Sequence, residues 1–237
     1  MVTPPRLSLA RLEDGGDRTS LRQRQSALAR QTARSLLPPG DWHFDAEPSG
    51  RPLILAPDGT RGPDLSFSHS GPWVAAAITA WGRVGVDVEI PNQRRDARAL
   101  AEAYLSPAEL RAVTEEGEPA LLAFWTMREA MAKLSGGGLS EALTLDVADF
   151  REARNGSCSG SRHGTPWVLA HGETAQFHIA MAWTAEHLPD QAAAMLGSAL
   201  MASSSLEPER RLSPEKAELF PPQAELGRSR MNAKRPS

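Results

Sequence analysis

The stretch Val84-Gly85-Val86-Asp87-Val88-Glu89-Ile90 decides how this chain is read. Side chains alternate faces along a strand, so Val84, Val86, Val88 and Ile90 share one face. Gly85, Asp87 and Glu89 share the other. Residues two apart on one face stand roughly 6–7 Å apart, and a hard divalent cation could sit between two such carboxylates. The same pattern also suits an amphipathic strand with its acids in water. The rest of the chain has to choose between these readings.

The chain has 237 residues, 41% of them hydrophobic, which is enough for one sizeable domain or two small ones. A net charge of −3 argues against a general nucleic-acid or membrane-surface binder. The single Cys158 excludes a disulfide framework within the chain and suits a reducing cytoplasm. No apolar run approaches transmembrane length, and the N-terminal stretch has no apolar signal-peptide core. The basic residues are biased. Of 26, only Lys133, Lys216 and Lys234 are lysines, so Lys133 stands alone among arginines in the first 215 residues.

Working outward, a short strand is expected near Leu7–Leu12 and a helix over 18–37, which ends before Pro38-Pro39-Gly40. Residues 42–64 read as turn-rich, with Glu47-Pro48-Ser49-Gly50-Arg51-Pro52 as one turn. Strands follow over Leu65–Ser70 and Trp73–Ala80. Gly82-Arg83 suits a hairpin turn leading into the opening strand. After a polar link, helices are expected at Arg98–Tyr104, from Ser106 onward, and over Ala120–Ser135. Ser106-Pro107-Ala108-Glu109 forms a capping box, a structural reason for Glu109. Gly136-Gly137-Gly138 ends the long helix. Leu143–Val147, Trp167–Ala170 and Ala175–Trp183 are the later strand candidates, with a Ser/Gly/Arg-rich loop over 155–164. His163, His171, His178 and His187 show no close metal-ligand spacing. Residues 203–237 are rich in proline and charge and read as a disordered tail.

Two further elements bear on Asp87 and Glu89. Along 120–135, Leu121, Phe124, Met127, Met131 and Leu134 gather on one side of the helix. Leu122, Trp125, Glu129 and Lys133 gather on the other. A solvated face would not carry Trp125 and Leu122, so the helix is covered on both sides, and Glu129 and Lys133 form an i,i+4 pair at a partly buried junction. A lone lysine suits a compact point charge at a phosphate. In Phe67-Ser68-His69-Ser70-Gly71, two hydroxyls, an imidazole and open amides at a strand end can hold a phosphate. There is no nucleophile elbow and no P-loop.

Together, Ser68-His69-Ser70-Gly71, Gly85-Val86-Asp87-Val88-Glu89 and Trp125-Thr126-Met127-Arg128-Glu129-Ala130-Met131-Ala132-Lys133 resemble the 4′-phosphopantetheinyl transferase superfamily, Sfp-type branch, in order and spacing. The Gly50-Arg51-Pro52 turn and the late strand near Phe177–Trp183 are softer similarities. The resemblance covers roughly residues 18–185. One departure is Arg128, where the family usually has lysine; this counts against an acid–base role there.

The resemblance implies an α/β (α+β) fold of two similar lobes related by a pseudo-twofold, with the cofactor in the cleft between them. The lobes are expected at 1–95 and 96–202, with the tail at 203–237. It implies a cytoplasmic, monomeric enzyme that moves phosphopantetheine from coenzyme A to a serine of an apo acyl or peptidyl carrier protein and releases adenosine 3′,5′-bisphosphate. Neither nucleic acid nor membrane is expected as a partner. Asp87, Glu89 and Glu129 would hold Mg²⁺, and Gly85 would leave space for the cofactor. Lys133 would hold the pyrophosphate, and His69 with Ser68 would meet a cofactor phosphate. Arg51, Arg24 and Arg30 are candidates for the 3′-phosphate and adenine side. Glu129 is the first choice of general base and Glu109 the second. Arg94, Arg95, Arg98 and Arg111 could meet an acidic carrier. Two other classes stay open: another Mg-dependent enzyme that cleaves a pyrophosphate, and a non-catalytic CoA- or carrier-binding relative.

Overall fold

The computed structural model describes residues 5–13, 18–92, 96–147, 156–162 and 165–184. Arg94, Arg95, His163, His187 and the stretch 203–237 lie outside them. Two antiparallel sheets and a small hairpin carry the fold. The first sheet has the order β1-β5-β4, from β1 (Arg6–Arg11), β4 (Asp64–Ser70) and β5 (Trp73–Thr79). The second has the order β6-β9-β8-β7, from β6 (Val84–Glu89), β7 (Gly156–Arg162), β8 (Thr165–Glu173) and β9 (His178–Thr184). β2 (His43–Ala46) and β3 (Pro52–Leu55) form the hairpin within the stretch read as turns.

The sheets pack face to face. Leu9, Trp73, Ala75 and Ala77 of the first meet Val84, Val86, Val88, Ile179, Met181 and Trp183 of the second. The alternation of β6 sends its valines into this layer and turns Gly85, Asp87 and Glu89 the other way. Outside the first sheet lies α1 (Arg18–Ser35), whose Ala33, with Leu37 just beyond it, packs with Ile54, Leu65, Ala76 and Ile78. Outside the second lies α4 (Glu118–Ser135), with α2 (Ala97–Tyr104) and α3 (Pro107–Glu116) against it. A short α5 (Gly138–Ala142) follows. The protein is thus a mixed α/β molecule, with helix α4 covered on both sides: Leu122 and Phe124 are both buried, and Trp125 is half-buried. Gly136, at φ +86°, closes α4 in the left-handed conformation.

Several local expectations are corrected. Gly82-Arg83 is not a hairpin turn, because β5 and β6 belong to different sheets; the turn carries the chain from one sheet to the other. Leu143–Val147 is not a strand but the turn and coil after α5. The polar run 156–162, read as loop, is the edge strand β7, paired along its length with β8. β6, which precedes residue 95, is hydrogen-bonded to β9, which follows it.

Candidate active site

β4 and β6 are both edge strands, and each would leave a row of backbone groups unpaired. Side chains close the gap. Val84 N–H donates to Asp64 Oδ2 at 2.9 Å, Val86 N–H to Ser66 Oγ at 3.0 Å, Val88 N–H to Ser68 Oγ at 3.2 Å and Ile90 N–H to Ser70 Oγ at 3.2 Å. Each rung is twenty residues from its partner, so the two strands run alongside in the same direction. The seam bonds of Asp64, Ser66, Ser68 and Ser70 were not foreseen from sequence. Their signal was the period-two polar run Asp64-x-Ser66-x-Ser68-x-Ser70, which puts all four side chains on one face of a strand.

Asp87 sits at the centre. It is 5% exposed. Its Oδ1 accepts from Ser68 Oγ at 2.7 Å and from Lys133 Nζ at 2.7 Å. Its Oδ2 is buried with no hydrogen-bond partner among the described residues. Lys133 Nζ also donates to Val86 O at 3.1 Å. Lys133 therefore pairs with Asp87 across the strand, not with Glu129 one turn back along its own helix. Glu89 accepts from Ser70 Oγ at 3.0 Å. Glu129 is half-buried, and burial, then the charge of Asp87, with a smaller push from Glu89, hold its pKa above the ordinary carboxylate range, while Lys133 pulls it down. The three acids expected from sequence are thus electrostatic neighbours. Gly85 leaves room for helix, not for ligand: a Cβ there would stand 2.0 Å from Ala130 O and 2.6 Å from Leu134 N of α4.

An unpartnered buried oxygen beside two further carboxylates fits a hard divalent cation, which takes oxygen ligands. The residues drawn within 4.8 Å of one another as a metal-capable trio, among those described, are instead His171, Glu173 and His178. The sequence spacing of these histidines gave no hint of it. They meet because β8 and β9 pair Glu173 with His178 and His171 with Ala180. The two rings stand 5.7 Å apart, and His178 Nδ1 lies 3.4 Å from Glu173.

A cleft of about 450 Å³ lies beside Lys133, which binds Asp87; the three acids are not among its lining residues. α1, the β2–β3 hairpin, β4 and the end of α4 wall it, with Arg30, Arg51, Phe67, His69 and Lys133 among its lining. His69 is an exposed member of its lining. Desolvation of its ring lowers its pKa, as do Lys133 and Arg22, against its own backbone hydrogen bond and Asp87.

Other candidates are placed differently. Arg51 lines the cleft, but its guanidinium is committed: it pairs with the buried Asp64 and donates to Val84 O at 2.9 Å and to Lys133 O. Its charge ties β3 to both sheets and is poorly placed to serve a phosphate. Arg24 donates to Glu13 O and is not among the residues that line the cleft. Arg30, held to Ser26 Oγ at 3.0 Å, does line it. Glu109 is fully buried, with both oxygens occupied: Arg128 binds them in a two-pronged pair, and Ser106 N–H and Val147 N–H donate to them at 2.8 and 3.1 Å. It has no route to a substrate proton, and its expectation as a second base is corrected. Arg128, also buried, spends its remaining donors on the carbonyls of Tyr104, Ala142 and Leu143. These bonds commit its guanidinium inside the fold.

Residues 83–185 match the family model of the 4′-phosphopantetheinyl transferase superfamily. Over this stretch, under half of the chain, the protein is similar to that superfamily. The match contains β6 and α4, and so Asp87, Glu89, Glu129 and Lys133. A Synechocystis protein provisionally named a 4′-phosphopantetheinyl transferase is 26% identical over 156 residues, 61% of this chain and 63% of its own length. The 4′-phosphopantetheinyl transferase HetI of Nostoc is 27% identical over 114 residues, 46% of this chain and 48% of its own. The 4′-phosphopantetheinyl transferase psf-1 of Bacillus pumilus is 30% identical over 132 residues, 53% of each chain. The chain thus spans about half to just under two thirds of these relatives. Among the described residues no helix is long and apolar enough to cross a membrane.

Proposed function

We propose that this protein transfers the 4′-phosphopantetheine arm of coenzyme A to a serine of an apo carrier protein, with Mg²⁺, releasing adenosine 3′,5′-bisphosphate. The observation that carries the reading is the buried, unpartnered Oδ2 of Asp87, whose other oxygen binds Lys133 of the cleft wall and whose charge, with that of Glu89, acts on Glu129. Asp87, Glu89 and Glu129 would hold the ion. When bound, Mg²⁺ supplies neutralising charge to the pyrophosphate of the co-substrate.

The chain's own groups do the rest. Lys133 keeps its ammonium at the cleft wall by its bond to Asp87 and meets the pyrophosphate there. His69 and Arg30 offer N–H donors to the outer phosphate. Glu129 takes the proton of the carrier serine as that oxygen attacks phosphorus and the bond to the departing adenosine bisphosphate breaks. The reading keeps a monomer in the cytoplasm and an acidic carrier that meets the exposed Arg98 and Arg111.

The test is direct. The protein is incubated with CoA, MgCl₂ and an apo carrier protein, and the intact carrier is weighed by mass spectrometry. A mass gain of one phosphopantetheine is expected. CoA cleaved while the carrier stays unmodified would replace the reading with pyrophosphate hydrolysis, and CoA bound without turnover would leave only a binding protein.

A further inference from the structure

The seam between the sheets does more than join them. We infer that Ser68 and Ser70 are positioning residues for the two strand-borne carboxylates, and that Ser68 acts on Asp87 and not on a cofactor phosphate. This inference rests on the metal site proposed above.

A serine hydroxyl has one proton and two lone pairs. In Ser68 a lone pair takes Val88 N–H at 3.2 Å, and the proton goes to Asp87 Oδ1 at 2.7 Å. In Ser70 a lone pair takes Ile90 N–H at 3.2 Å, and the proton goes to Glu89 Oε2 at 3.0 Å. The backbone bond settles the direction of the hydroxyl, so each serine is a donor of fixed orientation. Each carboxylate is then held through one named oxygen, Oδ1 of Asp87 and Oε2 of Glu89. For Asp87 the consequence is visible: Ser68 and Lys133 both hold Oδ1, and Oδ2 is left without a partner. Donors that orient metal-binding carboxylates in this way are worth about 10–100-fold in metal affinity.

Ser66 provides the built-in comparison. It makes the same rung, accepting from Val86 N–H at 3.0 Å, and holds neither carboxylate. A purely structural seam predicts that the three serines behave alike. A positioning role separates Ser66 from the other two.

The experiment measures Mn²⁺ binding by electron paramagnetic resonance in the full chain without CoA, with competition by Mg²⁺ and with Asp87→Ala marking signal from this site. Urea denaturation of each variant runs beside it. Ser68→Ala and Ser70→Ala are expected to bind Mn²⁺ about tenfold or more weakly. Ser66→Ala is expected to lose stability but keep the affinity of the parent. Ser68→Thr, which keeps the hydroxyl, is expected to restore binding; it also decides the matter if Ser68→Ala does not fold. Equal Mn²⁺ affinity in Ser66→Ala, Ser68→Ala and Ser70→Ala overturns the positioning role while leaving the metal site standing. A parent protein that holds no Mn²⁺ at the Asp87 site removes the metal reading itself.

Discussion

Two acids twenty residues apart, Glu129 and Glu109, illustrate how much a carboxylate's surroundings decide. Both lie on helices within two residues of an arginine. Glu109 is fully buried and matched by Arg128, with backbone donors on both oxygens. Glu129 is half-buried with no ion pair among the described residues, and sits in the field of Asp87 and Glu89. The consequences are opposite. Removing Arg128 leaves a buried, uncompensated charge, so Arg128→Ala should cost about 3–5 kcal/mol in a urea titration. Arg128→Lys should recover only part, because an ammonium cannot reproduce the two-pronged contact and three carbonyl bonds. For Glu129 the folded-state pKa is raised. Its contribution to stability is then fully present below the unfolded pKa, about 4.3, and is lost as pH rises through the folded value. Glu129→Gln should therefore raise the melting temperature of the metal-free protein at pH 7 and change it little at pH 4. A melting temperature at pH 7 that falls on this substitution would contradict the electrostatic crowding described for the site.

At the scale of elements, the site depends on how closely α4 lies on β6. Gly85 is the point of contact, where any side chain meets the helix backbone and not a movable side chain. Gly85→Ala should lower stability by several kcal/mol or prevent folding, since overpacking here displaces a helix; an unperturbed urea midpoint would refute the contact. The strand β6 and the helix α4 were legible in the sequence because each has a strict period, two in one case and 3.6 in the other. So was the capping box at Ser106 and Glu109, whose reciprocal bonds are both present. β7 was not, because Gly156-Ser157-Cys158-Ser159-Gly160 carries no apolar alternation; it is a strand because β8 offers it an edge. The turn at Gly82-Arg83 misled for a related reason. Turn chemistry is local, whereas the choice of sheet for β6 depends on β9, almost a hundred residues later. The i,i+4 spacing of Glu129 and Lys133 misled too: a helix places them as neighbours, but Asp87 on β6 offers Lys133 a closer partner.

At the scale of the molecule, two sheets meet edge to edge through four polar side chains and face to face through valine, alanine and tryptophan. The candidate site forms at that seam. β4 gives serines to the seam from one face and gives Leu65, Phe67 and His69 to the cleft from the other. α4 brings Glu129 and Lys133 to the same place from outside the second sheet. The sequence motifs located these residues but not their partners, since a hydrogen bond between positions 68 and 87 needs the packed sheets to exist. The central claim is that Asp87 joins this seam to phosphopantetheine transfer through a divalent ion. The measurement that tests it most directly is the mass of an apo carrier protein after incubation with CoA and the metal-stripped protein, with and without added Mg²⁺, in the parent and in Asp87→Ala. The account predicts a phosphopantetheine mass gain only in the parent and only with Mg²⁺. An Asp87→Ala protein that modifies the carrier as fast as the parent would contradict it.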